Sequence, residues 1–433
     1  MTTDRVGAGA GGPDPRGRVD LADLPAAGRV EETDAVIVCG AGPTGLVAAL
    51  TLARAGVPVV VLEKGDGLSG ESRASTFHPP TLELLDELGL AEPVVAAGLR
   101  APTTQFRDRA TGPVATFDLG VLADDTDFPF RVQLEQDKFT ALAMEGPVRQ
   151  GGLPMEVRFG WRSHAVLGQD DSGVRLLVGT ADGFVEMWAP WMVAADGAHS
   201  SVRTSLGVDL VGETYPERFL VVSVADELRD LLGDLDLVNY VADPDEWLVL
   251  LRTPDHWRVL FPVRTDDPEA ELAPDALRRR LDAIIPVPAD GGSVERDWDV
   301  LDASLYVVSR RVAERMRVGR VLLAGDAAHQ NSPLGGMGMN SGIQDAVSCG
   351  RRLATVLDGG PETLLDEYDA NRRRVAVDYV QADAHANWLA LREADPERRA
   401  ALQADLRAVA ADPVRHRERM QRTAMLDAVR GSL

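Results

Sequence analysis

Cysteine is scarce. Only Cys39 and Cys349 occur in 433 residues. One lies beside a glycine turn and the other inside a predicted helix, which suggests no disulfide framework, no zinc site and no secretion. Long apolar runs are also missing, and none would span a bilayer. The N-terminus lacks the basic-then-apolar order of a signal peptide. A cytoplasmic location is therefore expected. Positive charge is in deficit: 45 Lys and Arg stand against 68 Asp and Glu, for a net charge of −23. Nucleic acid and anionic membrane are poor partners for such a chain. There is no internal repeat. The length exceeds one small core and predicts two domains. Residues 1–33 are rich in Gly, Pro and Ala and read as a flexible tail.

What the chain does have is a set of short Gly-rich or Gly-Asp segments placed far apart. The first is Gly40-Ala41-Gly42-Pro43-Thr44-Gly45, directly after the apolar run Ala35-Val36-Ile37-Val38-Cys39. This reads as a buried strand, a tight turn and a helix. Gly40 permits the turn, Gly42 lets the backbone approach a pyrophosphate, and Gly45 lets the helix pack on the strand. The free N–H groups at the helix start then receive the phosphates. The helix is predicted from Leu46 to Ala55, ending at Gly56. Pro58-Val59-Val60-Val61-Leu62 is a second buried strand, with Glu63 and Lys64 at its end. Glu63 lies close to the roughly 20-residue offset expected of an acid that binds a ribose hydroxyl.

The second segment is Asp196-Gly197-Ala198-His199-Ser200-Ser201-Val202-Arg203, delivered by the strand Trp191-Met192-Val193-Ala194. The third is Gly325-Asp326-Ala327-Ala328-His329 after the strand Val321–Ala324, followed by Pro333-Leu334-Gly335-Gly336-Met337-Gly338-Met339-Asn340. Between them the pattern is mostly strand. Val174–Val178 and Phe184–Met187 form a predicted hairpin. Phe219–Val224, Trp247–Leu251 and Trp257–Phe261 are predicted strands with short polar connections, which suggests an antiparallel sheet separate from the parallel one. Helices are predicted over Leu82–Leu88, Gln136–Met144, Ile343–Leu357 and Leu364–Asp383. The segment Ala386–Leu426 is helical in spacing, broken near Pro396 and Pro413, and reads as a cap or a subunit contact for a homo-oligomer.

The ordered motifs resemble those of the class A flavoprotein aromatic hydroxylases, the family of para-hydroxybenzoate hydroxylase, over Asp34 to about Tyr379. The resemblance implies an FAD site. Gly40, Gly42, Pro43, Thr44 and Gly45 match the FAD fingerprint. Asp196 and Gly197 match a motif that serves both FAD and the reducing nicotinamide nucleotide. Asp326 matches the Asp that binds the ribitol or ribose. Arg73, in Ser72-Arg73-Ala74-Ser75-Thr76, resembles an Arg that reaches the pyrophosphate, and Gln136 one that contacts the ribityl chain. Gly338, Met339 and Asn340 match residues whose backbone faces the pyrimidine side of the isoalloxazine. The chain ends before the position of the thioredoxin-like domain of phenol-hydroxylase relatives.

The implied fold is α/β: a Rossmann-like FAD-binding domain, an inserted antiparallel-sheet substrate domain and a C-terminal helical region. The expected division is a tail over 1–33, FAD-binding parts over 34–105, 131–210 and 311–380, substrate-domain parts over 106–130 and 211–310, and helices over 381–433. The implied activity is oxidation by O2 of a small aromatic substrate, with NADH or NADPH as a transient reductant and a flavin C4a-hydroperoxide as oxygen donor. Backbone N–H groups near Leu334–Asn340 can stabilise negative charge at the flavin edge. Pro333, Gly335 and Gly336 are expected to wall the oxygenation pocket and limit water access. Tyr240, Trp247, Arg252, Trp257 and Arg258 lie on the expected substrate sheet, where alternation turns about half of the side chains away.

Several readings stay open on the residues alone. Asp326 can also be a helix cap. Arg73 can be a surface ion-pair partner, and Arg203 can pair with Asp196 or reach a nucleotide. His329 is a base or a packing residue. Flavin-dependent halogenases and isoprenoid reductases share the fold, but Trp257-Arg258-Val259-Leu260-Phe261-Pro262 departs from the halogenases' WxWxIP motif. A flavoprotein that only binds an aromatic ligand is a further reading. A nicotinamide dehydrogenase would leave the second and third motifs unexplained.

Overall fold

The computed structural model describes residues 24–71, 74–148, 151–285, 296–430 and 432. A six-stranded sheet forms the first core. Its order is Arg317–Val318, Val321–Leu323, Met192–Ala194, Val36–Cys39, Val59–Glu63 and Met155–Phe159, all parallel except for the hairpin at the Arg317 edge. Ile37 pairs with Val60 on one side and Met192 on the other. The central strands are unbroken apolar runs because both faces are covered.

The helix Pro43–Arg54 follows the glycine turn, three residues earlier than the predicted start at Leu46. Pro43 is tolerated because the first helical N–H has no partner within a helix. This helix packs on Gly338–Leu357 through glycines. A Cβ built at Gly342 would lie 2.4 Å from Thr44 Oγ1, and one at Gly350 would lie 2.9 Å from Thr51 Cγ2. The hairpin Val174–Thr180 and Gly183–Ala189 forms as expected and shares this core.

Part of the expected tail is ordered. Arg29–Glu32 is a strand, parallel to Gly183–Ala189, with Arg29 opposite Val185. The edge of the hairpin offers unpaired N–H and C=O groups, which this segment satisfies despite its polar composition. Arg158 holds it by pairing with Glu31. The rest of the expected tail, residues 1–23, lies outside the described residues.

The second core is an eight-stranded sheet. Its order is His329–Gln330, Val300–Ala313, Leu210–Val224, Trp257–Val263, Leu248–Arg252, Val238–Ala242, Thr103–Asp108 and Gly112–Asp118. It is antiparallel except where Val238–Ala242 runs parallel to Thr103–Asp108. Alternation divides its residues between two cores. Val222, Leu250, Val259 and Phe261 pack against the helix Pro274–Asp282. Phe106, Val221, Tyr240, Val249 and Leu260 line the other face, together with Leu334 and Trp388.

The C-terminal helices lie over this second face. Ala382–Leu391 supplies Trp388 and Leu391 to the sheet core. Pro396–Ala411 and Pro413–Thr423 begin at the two prolines. Asp395 and Asp412 cap them, each carboxylate accepting from two backbone N–H groups of the first turn.

Candidate active site

Two uncapped helix starts meet at the end of the parallel sheet. Neither Pro43–Arg54 nor Gly338–Leu357 has a side-chain cap, so their first N–H groups are free for a ligand. Gly40 has φ +101°, and a Cβ there would strike Ala195 O at 2.4 Å. Gly45 is barred from any side chain by Gly40 O at 1.9 Å. Gly42, Gly197 and Gly338 are different: a Cβ on any of them would enter open space. Glu63 stands beside the turn, and its carboxylate accepts from Ala41 N–H at 2.8 Å and Gly65 N–H at 2.9 Å. Thr44 sits against Gly325, and Lys64 is exposed.

The other two motifs form loops that bind each other. Asp196 accepts from Ser200 Oγ at 2.5 Å and from Val202 N–H at 3.2 Å. It thereby organises the start of the short helix Ser201–Ser205. Burial raises the Asp196 pKa, and these hydrogen bonds oppose the rise. Arg203 makes no ion pair with Asp196. It donates to Ala198 O at 3.4 Å and to Ala327 O at 3.2 Å, tying one loop to the other. Asp326 is exposed on the single turn Gly325–Ala327.

A buried network holds that turn from behind. Asp345 Oδ2 accepts from Gly325 N–H at 3.0 Å and lies 2.6 Å from His329 Nε2. Asp345 Oδ1 accepts from Arg372 Nε at 2.6 Å. Arg372 is fully buried and also donates to Ser341 O, Gln344 Oε1 and Ser432 Oγ. Burial works against ionisation of Asp345, but His329 and Arg372 outweigh it and hold the pKa below the ordinary carboxylate value. His329 is thus bound up in packing and in its hydrogen bond to Asp345.

The loop Pro333–Asn340 is pinned to the segment Thr76–His78, distant in sequence. Asn340 Oδ1 accepts from His78 N–H at 2.8 Å, and its Nδ2 donates to Thr76 O and Gly336 O. His78 Nε2 donates to Gly335 O at 2.9 Å. Burial, with Arg131 nearby, keeps His78 neutral, its pKa well below the usual value. Gly335 and Gly336 have φ +108° and +66°, so both positions favour glycine. Pro333 is exposed, Met339 half-buried.

This loop forms one wall of a cavity of about 20 Å³. The sheet contributes Thr104, Phe106 and Tyr240, and the strand Arg131–Gln133 contributes Arg131. The C-terminal helices close it with Asn387, Arg419, Met420 and Thr423. Phe106 stacks on Tyr240 at 5.3 Å. Of the candidate substrate residues, Tyr240 lines this cavity. Trp247 is buried on the same face against Phe219, and Arg258 is buried nearer Glu135 and Asp302. Arg252 and Trp257 fall on the opposite face, where both bond Glu227. Pleat alternation therefore removes Arg252 from the set. Gln136 is half-buried at the first position of its helix. Arg73 lies outside the described residues.

The match of the sequence to known proteins agrees with this geometry. Residues 32–383 match the family model described as the FAD binding domain. The para-nitrophenol 4-monooxygenase of Pseudomonas sp. (strain WBC-3) is 34% identical over 374 residues, covering 86% of this chain and 90% of that protein. The 6-hydroxy-3-succinoylpyridine 3-monooxygenase of Pseudomonas putida (strain DSM 28022 / S16) is 34% identical over 360 residues, covering 81% and 87%. The crystal structure of p-nitrophenol 4-monooxygenase from Pseudomonas putida DLL-E4 superposes with a TM-score of 0.85 at 33% identity, covering 92% of this chain and 98% of that one. The chain belongs to the FAD-dependent aromatic hydroxylases.

The residues at the two helix starts fit FAD. Open space at Gly42, Gly197 and Gly338 gives a backbone-lined cradle, and the uncapped N–H groups suit phosphate or carbonyl oxygens. Sequence reasoning missed Asp345, Arg372 and His78, which position the loops, and Arg131, Asn387, Arg419 and Thr423, which line the cavity. A clue existed for Asp345: it is the one charged residue in the helical stretch Ile343–Cys349.

Proposed function

We propose that this FAD-dependent monooxygenase hydroxylates a phenolic or pyridinolic ring held in the cavity between Tyr240 and the Gly335–Gly336 turn. The observation that carries the reading is the position of that cavity. It shares the Gly335–Gly336 turn with the helix start at Gly338, the backbone assigned to the flavin edge. The names of two relatives specify a nitrophenol and a hydroxypyridine as their substrates.

Bound FAD, reduced by NADH or NADPH, supplies the electrons and the activated oxygen. The chain supplies the rest. The amide N–H groups of Gly42, Thr44 and Gly45 would bind pyrophosphate, with Pro43 fixing the helix start. Glu63 and Asp326 accept from ribose and ribityl hydroxyls, with Arg73, Gln136, Asp196 and Gly197 completing the contacts. The amides of Gly338, Met339 and Asn340 face the pyrimidine edge and stabilise negative charge there. Pro333, Gly335 and Gly336 exclude water from the reacting centre.

A cavity of about 20 Å³ admits a water but no ring. In this reading the C-terminal helices shift to admit the substrate and then cover it. A homo-oligomeric contact through them would use their outer face, where Leu402 and Val414 are exposed. Cytoplasmic NAD(P)H is the reductant in this reading. Stopped-flow reduction of the yellow protein by NADH and NADPH, against phenols, hydroxypyridines and aryl acids, tests it. Faster reduction with phenols or hydroxypyridines is expected, and an unchanged rate across the panel contradicts the reading.

A further inference from the structure

The C-terminal helix Ala382–Leu391 is seated on the second sheet by one buried carboxylate. The strand Leu210–Val224 loses its regular pairing where it meets this helix. Thr214 pairs with Ser309 and Arg218 with Val307, so Tyr215, Pro216 and Glu217 stand opposite Val308 alone. A bulge of this kind re-aims side chains. Here both Tyr215 and Glu217 reach the helix. Tyr215 lies edge-on to Trp388 at 5.1 Å, and its hydroxyl is 3.3 Å from His385 Nδ1. Glu217 is 2% exposed. One of its carboxylate oxygens accepts from Trp388 Nε1 at 2.5 Å, and the other accepts from Arg264 Nε at 2.6 Å.

Packing alone does not require an acid there. The Trp388 ring already stacks on His385 at 5.4 Å, and the Arg392 guanidinium lies 4.2 Å from its centroid. Burying a carboxylate is costly, and Arg264 offsets that cost. An indole has a single N–H donor, so one buried acceptor fixes the direction of the ring, which apolar contact leaves free. The consequence falls on the neighbouring residue. Asn387 is half-buried and lines the cavity with Tyr240 and Gly335, where its amide can donate and accept. Asp383, one turn earlier, accepts from Arg422 Nη2 at 2.6 Å. The placement of this helix therefore passes to the helix that carries Arg419, Met420 and Thr423 to the same cavity.

We infer that Glu217, acting through Trp388, is a positioning residue for oxygen transfer: it holds Asn387 against the bound ring and keeps the helical cap closed over it. This rests on the hydroxylase reading above and adds the group that maintains closure. In a coupled cycle one atom of O2 enters the ring and the other leaves as water. An open cap admits water to the reacting centre, and both atoms then leave as hydrogen peroxide while NAD(P)H is still consumed. Loss of the Trp388 bond leaves a buried acceptor unpaired, which should shift the balance toward the open cap by about tenfold.

The test uses FAD-loaded protein with phenol and 3-hydroxypyridine as ring probes. It reads hydrogen–deuterium exchange over residues 382–391 and the ratio of hydroxylated product to NAD(P)H consumed. Trp388→Phe keeps an aromatic ring and removes the N–H. It should speed exchange over 382–391, leave exchange of the parallel sheet unchanged, and lower the product ratio severalfold at an unchanged rate of flavin reduction. Glu217→Gln keeps an acceptor for the indole and should hold a higher ratio than Glu217→Ala. Arg264→Met removes the ion pair but leaves the Trp388 bond, so it should lower the urea midpoint and keep the ratio. Should Glu217→Ala fail to fold, Trp388→Phe and Arg264→Met carry the comparison. Unchanged exchange over 382–391 in Trp388→Phe overturns the inference, as does a ratio lost equally in Arg264→Met. Failure of the hydroxylase reading looks different: neither probe nor any other ring stimulates NAD(P)H oxidation in the parent, while the exchange arm still reads the Trp388 bond.

Discussion

Replacing Asp345 by Asn is the most informative single perturbation of the flavin-facing loops. The Asp345 carboxylate accepts from Gly325 N–H, His329 and Arg372 in a fully buried site. Asn keeps the shape and removes the charge, leaving the Arg372 guanidinium without its anion. Breaking a buried pair costs about 3–5 kcal/mol. Arg372 keeps Ser341, Gln344 and Ser432 as acceptors, which places the expected loss at the lower end. About 3 kcal/mol corresponds to roughly two decades in the equilibrium. Urea unfolding of parent, Asp345→Asn, Arg372→Met and the double variant measures it. The double variant removes both charges and should lose less than the sum of the singles. A dependence on pH should accompany this. The folded-state pKa of Asp345 is depressed, so its contribution is present above the unfolded carboxylate value. That contribution is lost as pH falls through the folded value, and Asp345→Asn should lack this acid-side slope. An Asp345→Asn variant within about 0.5 kcal/mol of the parent would refute the network, as would strict additivity in the double variant.

The loop geometry sets three further outcomes. Gly42→Val adds atoms to open space, so the apo fold should survive while FAD retention on a desalting column is lost. Gly336→Val should instead destabilise the protein before it uncouples it, because φ is +66° and a Cβ would lie 2.9 Å from Thr76 Cβ; urea midpoints separate the two cases. Glu63→Ala strips an acceptor from the Ala41 and Gly65 N–H groups as well as from the ribose; a loss of about 1–3 kcal/mol in FAD affinity is expected by fluorescence titration, and the same range holds for Asp326→Ala.

What could be read in the sequence was local. The strand Val36–Cys39, its glycine turn and the helix after it obey spacing rules that involve neighbours only. The prolines at 396 and 413 marked helix boundaries, though they open helices instead of ending one, because Asp395 and Asp412 cap the helices that start there. Long-range partnership was not legible. Asn340 binds His78 and Thr76 from more than 260 residues away. Arg131 and Arg419 meet only because the C-terminal helices fold back over the sheet. Arg29–Glu32 has a polar composition that hides its strand, since its pairing depends on a hairpin edge formed much later in the chain. Arg252 and Arg258 differ in face by pleat parity, which a register error of one residue would reverse.

The central claim is oxygen transfer from O2 to an aromatic ring by the FAD-loaded chain. The direct measurement is turnover of a stimulating phenol or hydroxypyridine with NAD(P)H under isotopically labelled dioxygen, with mass analysis of the product. One labelled oxygen is expected in the new hydroxyl, with NAD(P)H consumed in proportion. Label arriving from water, or NAD(P)H oxidation that yields only peroxide with every ring tested, would contradict it.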